Sequence, residues 1–237
     1  MIDRLVWLLS RALVMPLLYL PPLRMRRRGN ANLPAEGALL IVCTHVSVAD
    51  PLVLMAAARP RRTHMMTKSE MFKHRPVAAF LRLVKAFPVR RGQADISAIR
   101  HALDLLAKGE CLVVFPEGHV SRTGHMRRGH PGAGFFSMRP GVVTVPAVVW
   151  DTQLFRGPAR IVFGEPIDMS DIVQGPGPRK RRNRMATDRI MERLVTMAME
   201  LGAPLQPAPL GEPQEEDRRR GRVTPRPFPE EPAPTGV

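Results

Sequence analysis

Short apolar runs alternate with stretches of helical periodicity along most of the chain, and that alternation predicts an α/β domain. Residues 39–44 form an unbroken apolar run that ends at Thr44 and reads as a strand buried on both faces. Residues 51–59, opened by Pro51, read as a short helix. A strand over 63–67 and a helix over 76–85 follow. Asp95 precedes a segment in which Ile96, Ile99, Leu103 and Leu106 recur at intervals of three and four. A helix is predicted there, with Asp95 as its N-cap and Gly109 as its stop. The next strand spans 111–115. Past a glycine-rich stretch at 129–134 the chain turns helical to Met138, and strands at 143–150 and 159–163 come next. Pro146 lies inside the first of these, which predicts a bulge or sheet edge. Ile190, Leu194, Met197 and Leu201 mark a closing helix. The expectation is one α/β domain with a central mixed sheet flanked by helices, covering 29–202.

The two ends differ from this pattern. Residues 5–20 are strongly apolar but short for a membrane span, and Arg11 and Pro16 interrupt them. Asp3, Arg4, Ser10 and Arg11 recur at a spacing of seven and line one stripe of a helix. An apolar body with a thin polar edge predicts a helix lying in the membrane interface, with a single tilted span as the other reading. No small-residue cleavage site follows, as a signal peptide requires. The helix and the basic cluster Arg24, Arg26, Arg27 and Arg28 make up 1–28. At the other end, 203–237 are rich in proline and charge with little to bury, a composition that predicts disorder.

Charge sharpens the picture. The chain carries 36 Lys and Arg against 21 Asp and Glu, a formal +15, concentrated at 24–28, 59–62 and 179–184. Anionic lipid surfaces attract such clusters, each basic residue contributing about 1 kcal/mol. Nucleic acid would attract them too. One tyrosine, two tryptophans and the lack of any helix-turn-helix, zinc-finger or RNA-recognition pattern argue against that partner. A basic run is also commonly a solvated face, and 179–184 read best that way. Cys43 and Cys111 each sit in an apolar strand and read as buried reduced thiols. None of the seven histidines falls in a metal-ligand spacing, so no metal is expected.

The best chemical clue is His45 with Asp50 five residues on. Five residues is about 500° of helical rotation, and an odd offset in a strand puts side chains on opposite faces. Neither regular element pairs them. A bend between the strand ending at Thr44 and the helix opening at Pro51 would bring imidazole and carboxylate within hydrogen-bond reach. The carboxylate would then fix the tautomer and leave the other ring nitrogen as a base. Asp50 before Pro51 fits an N-cap equally well. Ser47 lies close by but has no Gly-x-Ser-x-Gly elbow around it.

Three further segments decide between these readings. They are Ala86-Phe87-Pro88-Val89-Arg90-Arg91-Gly92, then Val114-Phe115-Pro116-Glu117-Gly118, then Val145-Pro146-Ala147-Val148. With the His45 and Asp50 pair, and with Lys68-Ser69-Glu70-Met71 between, they resemble in order the four sequence blocks of the glycerolipid acyltransferases, over about 39–166. The resemblance implies an enzyme that moves a fatty acyl group from an acyl thioester to the free hydroxyl of a lysophospholipid. The acceptor most expected is 1-acyl-sn-glycerol-3-phosphate, and the donor acyl-CoA or acyl carrier protein, with no bound cofactor. The implied location is peripheral or monotopic, at the cytoplasmic face of the cell membrane. His45 would be the base and Asp50 its orienting partner. Arg91 would hold the acceptor phosphate through its planar fork, with Lys68 as a second candidate. Glu117 and Gly118 would shape a ligand-facing loop.

The chain departs from the family at one point. The third block there usually continues Thr-Arg-Ser, whereas this chain has His119-Val120-Ser121-Arg122. Either Arg122 replaces the missing arginine, or the acceptor headgroup differs. The departure leaves open another lysolipid or a glycolipid as acceptor and a lipid-binding relative without turnover, and a hydrolase that uses water in place of the acceptor alcohol is a separate rival.

Overall fold

The computed structural model describes residues 25–90, 95–121, 125–152 and 158–207. The expected interface helix at 1–24 and most of the expected tail lie outside those residues. Seven strands form one sheet: β1 (Arg26–Arg28), β2 (Leu39–Cys43), β3 (Thr63–Lys68), β4 (Ala86–Val89), β5 (Cys111–Val114), β7 (Val143–Trp150) and β8 (Arg160–Phe163). Their order across the sheet is β1-β8-β7-β2-β5-β3-β4. All neighbours run parallel except β7 and β8, so the sheet is mixed, as expected. Two short strands, β6 (His125–Met126) and β9 (Gln206–Pro207), pair apart from it. The sheet begins at Arg26, three residues ahead of the expected boundary at 29, because Arg26 to Arg28 pair with β8.

Six helices cover the two faces: α1 (Asp50–Ala57), α2 (Arg75–Leu83), α3 (Ile96–Ala107), α4 (Gly132–Ser137), α5 (Ser170–Gln174) and α6 (Arg179–Glu200). The period-two alternation of a strand divides the core between them. Leu39, Ile41 and Cys43 of β2 point to the layer of α1, joined by Val145, Ala147 and Val149 of β7. Leu40 and Val42 point the other way, with Val148 and Trp150, against α3, α4 and α6. Interior strands coated on both faces have no polar side to show. That is why β2 and β5 read as continuous apolar runs.

Several expectations were adjusted by packing. On α3, Ile96 is exposed, and Ala98, Ala102, Leu105 and Leu106 carry the buried face. Alanines let the helix lie close to the sheet, and of the large apolar residues that marked the periodicity Leu106 is buried and Leu103 packs against the core. Pro146 is neither at a bulge nor on an edge strand, since β7 lies between β2 and β8. Its carbonyl accepts from Gly164 just beyond the end of β8, and the β8 ladder starts at Ala147. The missing N–H therefore falls where no partner strand remains. The basic clusters are also partly spent on the fold. Arg61 is buried and donates to the carbonyls of Pro34, Gly37 and Gly109 at 2.9, 2.6 and 2.8 Å. The run at 179–184 forms the first turns of α6, where Arg184 binds Asp188 and donates to the Gly129 carbonyl. Gly134 lets α4 approach α6, because a Cβ there would meet the Asn183 carbonyl.

Cys43 and Cys111 are buried free thiols, and burial pushes both up, Cys111 to about 12. Among the described residues, no helix is long and apolar enough to cross a membrane.

Candidate active site

Parallel strands present their C-terminal ends along one edge, and the site grows from the chain as it leaves β2 there. Thr44 continues the pairing by one residue. Its N–H donates to Ala147, and its hydroxyl both accepts from the Val149 N–H at 3.0 Å and donates to the Val149 carbonyl. His45 then departs from the sheet. A bend over Val46 to Ala49 returns the chain to the sheet face as α1.

Asp50 holds that bend. Its Oδ2 accepts from the backbone N–H groups of Val46 and Ser47 at 2.6 and 2.8 Å, and lies 2.8 Å from Nδ1 of His45. Its Oδ1 accepts from the Thr152 hydroxyl. Asp50 does not cap α1: Ala49 occupies the N-cap with no side-chain bond, and Asp50 is the first helical residue. The carboxylate is fully buried and the His45 side chain is 12% exposed. The imidazole stacks on Phe115 at a centroid distance of 4.2 Å and 24° between planes. Ring plane and one ring nitrogen are thus both fixed. Ser47 is occupied elsewhere, accepting from Ala49 N–H and donating to the Thr152 carbonyl.

The loop after β5 completes the surroundings. The Ser121 N–H donates to the His45 carbonyl at 2.6 Å, and its hydroxyl donates to the His125 carbonyl. Glu117 is buried beneath this loop. Its carboxylate accepts from the Arg127 N–H at 2.9 Å and from the backbone of His45. Burial pushes the carboxyl up to about 7, against the lowering effect of those N–H groups. Gly118 has φ of 71°, and a Cβ there would press on the His130 ring, so the position demands glycine twice over.

Of the remaining predicted residues, Lys68 alone is described, and it lies along the same edge. Lys68 ends β3 in register with Val89, half exposed and 3.7 Å from Glu70. Arg91 and Arg122 lie outside the described residues. Their flanks are held, however. Asp95 accepts from the Arg90 N–H at 3.0 Å while capping α3 through Ala98, and these bonds together with Ser97 depress its carboxyl well below the usual range. Among the described residues, no three His, Cys, Asp or Glu side chains group to hold a metal ion.

Sequence reasoning missed Thr152 and Asp95 as members of the site's framework. Thr152 follows the fourth block by four residues and reaches Asp50 only because β7 lies beside β2, which no local pattern encodes. Asp95 was legible as a cap, not as a partner of Arg90. Phe115 was in plain view within the third block, but its ring contact depends on the crossing of two loops.

Comparisons with known proteins give the family and the fold. The family described as Acyltransferase matches residues 24–150. A 1-acyl-sn-glycerol-3-phosphate acyltransferase of Bacillus subtilis is 30% identical over 176 residues, covering 72% of this chain and 86% of that protein. The enzyme of the same name from Streptococcus pneumoniae is 27% identical over 201 residues, covering 82% of this chain and 72% of its own. In fold, the chain is similar to the crystal structure of the 1-acyl-sn-glycerophosphate acyltransferase PlsC from Thermotoga maritima. The TM-score there is 0.59 at 19% identity, covering 85% of this chain and 80% of the other. With four sequence blocks, a matching sheet and a histidine held by an aspartate at the strand edge, the chain belongs to the acyltransferase family.

Proposed function

We propose that this chain transfers a fatty acyl group from an acyl thioester to the free hydroxyl of a lysophospholipid, with 1-acyl-sn-glycerol-3-phosphate as first acceptor and phosphatidate as product. The observation that carries the reading is the 2.8 Å contact of His45 Nδ1 with Asp50. Nδ1–H donates to the carboxylate, so the base is Nε2. An alcohol near neutral pH is almost wholly protonated, and a base at its proton gains on the order of 10² to 10⁴ in rate. Nε2 takes the hydroxyl proton as the oxygen attacks the thioester carbonyl. The tetrahedral intermediate collapses with cleavage of the C–S bond, and the imidazolium returns the proton to the leaving thiolate. No enzyme nucleophile is needed, because the thioester is already activated, and the engaged Ser47 hydroxyl fits that scheme.

Arg91 is the group we assign to the acceptor phosphate, with Lys68 and Arg122 as further candidate cations. Glu117 supports the acceptor through the loop it braces, since its carboxylate is occupied by backbone donors. Gly118 keeps that loop close to His130. The donor is acyl-CoA or an acyl carrier protein, and the enzyme works at the cytoplasmic face of the membrane.

The test is transfer of labelled acyl groups from acyl-CoA and from acyl carrier protein to a panel of lysolipids, beside His45→Ala. Transfer by the wild type that survives in the variant would remove His45 as the base. Free fatty acid released without any acceptor would favour a hydrolase instead.

A further inference from the structure

The segment between β3 and β4 exposes more apolar surface than a helix lying on a core needs. At about 100° per residue, Val77, Ala78 and Leu81 of α2 fall on one side and are half-buried or buried, as is Leu83 at the helix's last turn. Pro76, Phe80 and Leu83 fall on the neighbouring side. Phe80 is 38% exposed, and Met71 in the turn before the helix is 43% exposed. Apolar positions thus span about 220° of the helix, against the roughly 100° stripe that a surface helix buries.

The polar remainder is cationic. Arg75 and Arg82 fill the remaining arc, continuous with the exposed Pro76 and Phe80, and Lys73 closes the preceding turn. Glu70 is the one acidic residue between Asp50 and Asp95 in the sequence, and it already lies against Ser69 and Lys68. Exposed Met and Phe edged by Lys and Arg match an anionic lipid surface, where apolar groups enter the headgroup boundary and cations meet phosphates. A protein partner with an acidic face would account for the cations but not for the exposed Phe80.

The location serves that partner. β3 runs parallel to β5, and β5 to β2, so the turn after Lys68 leaves the sheet from the edge that carries His45. Phe72 and Leu81 pack onto the core layer of α1. Val48, 80% exposed, stands in the bend between His45 and Asp50, at the start of α1 in that layer.

We infer that Met71 and Phe80, with Lys73, Arg75 and Arg82, form a docking face of the catalytic domain that seats it on an anionic bilayer, with the His45 edge turned toward the lipid. The inference builds on the proposed lipid acceptor, but its readout is separate. The full chain is sedimented with vesicles of phosphatidylcholine alone or mixed with phosphatidylglycerol. Met71→Ser with Phe80→Ser should weaken partition about tenfold on both, the loss of one half-buried aromatic and a methionine. Lys73→Glu with Arg75→Glu should weaken it on the anionic vesicles alone. Met199→Ser, a 67% exposed position on α6, should change neither. All variants should keep the wild-type melting temperature and the wild-type rate on detergent-dispersed lysolipid. Wild-type partition by both double variants would overturn the inference. So would a marked loss of melting temperature in the serine pair, which would mean that another part of the chain covers this face. Failure of the transferase reading would instead show as no acyl transfer in detergent, with the vesicle comparison still readable.

Discussion

Two aspartates five residues beyond a strand-end partner hold two corners of this molecule, and they do different work. Asp50 gathers His45, Val46 and Ser47, while Asp95 gathers Arg90. Each stands where the chain enters a helix. Asp95 turns its other oxygen forward and caps α3 through the Ala98 N–H. Asp50 turns its other oxygen across the sheet to Thr152 and leaves α1 uncapped. The same spacing therefore gives a helix cap in one place and a histidine-orienting carboxylate in the other. Position in the sheet makes the difference: β7 lies beside β2 and its end brings Thr152 to Asp50, while β4 is the edge strand and Asp95 binds its own flanks, Arg90 and Ala98.

The largest effect expected from that contrast is at Asp50. Asn keeps the shape but offers an amide N–H₂ where donors now converge, and it no longer selects the His45 tautomer. We expect Asp50→Asn to lower kcat by about 10⁴-fold with KM nearly unchanged, the scale on which a triad loses its orienting acid. Asp95→Asn should stay within about threefold of wild type, because a cap accepts Asn readily. Steady-state kinetics on one lysolipid checks both. Equal losses would erase the distinction between the corners.

A third carboxylate sharpens it. Glu117 is as buried as Asp50 but faces two backbone donors and no hydroxyl or ring, so burial wins and its carboxyl rises to about 7. In the unfolded chain the group titrates near 4.5. Between those values the folded state keeps a proton that the unfolded state has released, so stability falls as pH rises through this window. The full difference is on the order of 3 kcal/mol. Denaturant unfolding from about pH 4 to pH 8 should show wild type losing that much relative to Glu117→Gln. Parallel curves would mean that Glu117 is ionised at little cost.

How much of this was legible beforehand follows from where each contact is encoded. The strands at 39–44, 111–115 and 143–150 were readable because two coated faces leave only apolar residues to write. The bend at His45 was readable because its spacing fits no regular element. The Asp-Pro pair stayed ambiguous in one dimension, since a cap and an N1 position look alike until Ala49 is seen to take the cap. The helix after Asp95 was readable from its period, but the part that Ala98 and Ala102 play in its buried face was not, because small residues carry little weight in such a pattern. Thr152 was invisible because its bond to Asp50 spans 102 residues and exists only through strand order. Local pattern reports the groups proposed for the chemistry better than the groups that hold them.

Thr152 tests that last point with a smaller effect. Thr152→Val keeps the shape and removes the hydroxyl, leaving Asp50 Oδ1 buried without its donor, which costs about 1 to 3 kcal/mol. Slack in Asp50 passes to His45, so kcat should fall about tenfold while KM holds. Thr152→Ser should restore most of it. A role confined to packing would show the reverse, with the larger cavity of Ser doing more harm than Val.

The smallest effect separates framework from chemistry at the second corner. Asp95→Ala leaves the Ala98 N–H and the Arg90 N–H without their acceptor and releases both ends of the segment that contains Arg91. Loss of a cap of this kind lowers the melting temperature by about 3 °C in a domain of this size. If the segment serves the acceptor phosphate, KM for the lysolipid should rise about threefold while kcat stays put, because the base we propose, His45, is untouched. A fall in kcat comparable to that of Asp50→Asn would place Asp95 in the chemistry and undo the contrast. An unchanged KM would confine the Arg90 and Asp95 corner to holding up α3, and would remove the strongest reason to look for the phosphate beside it.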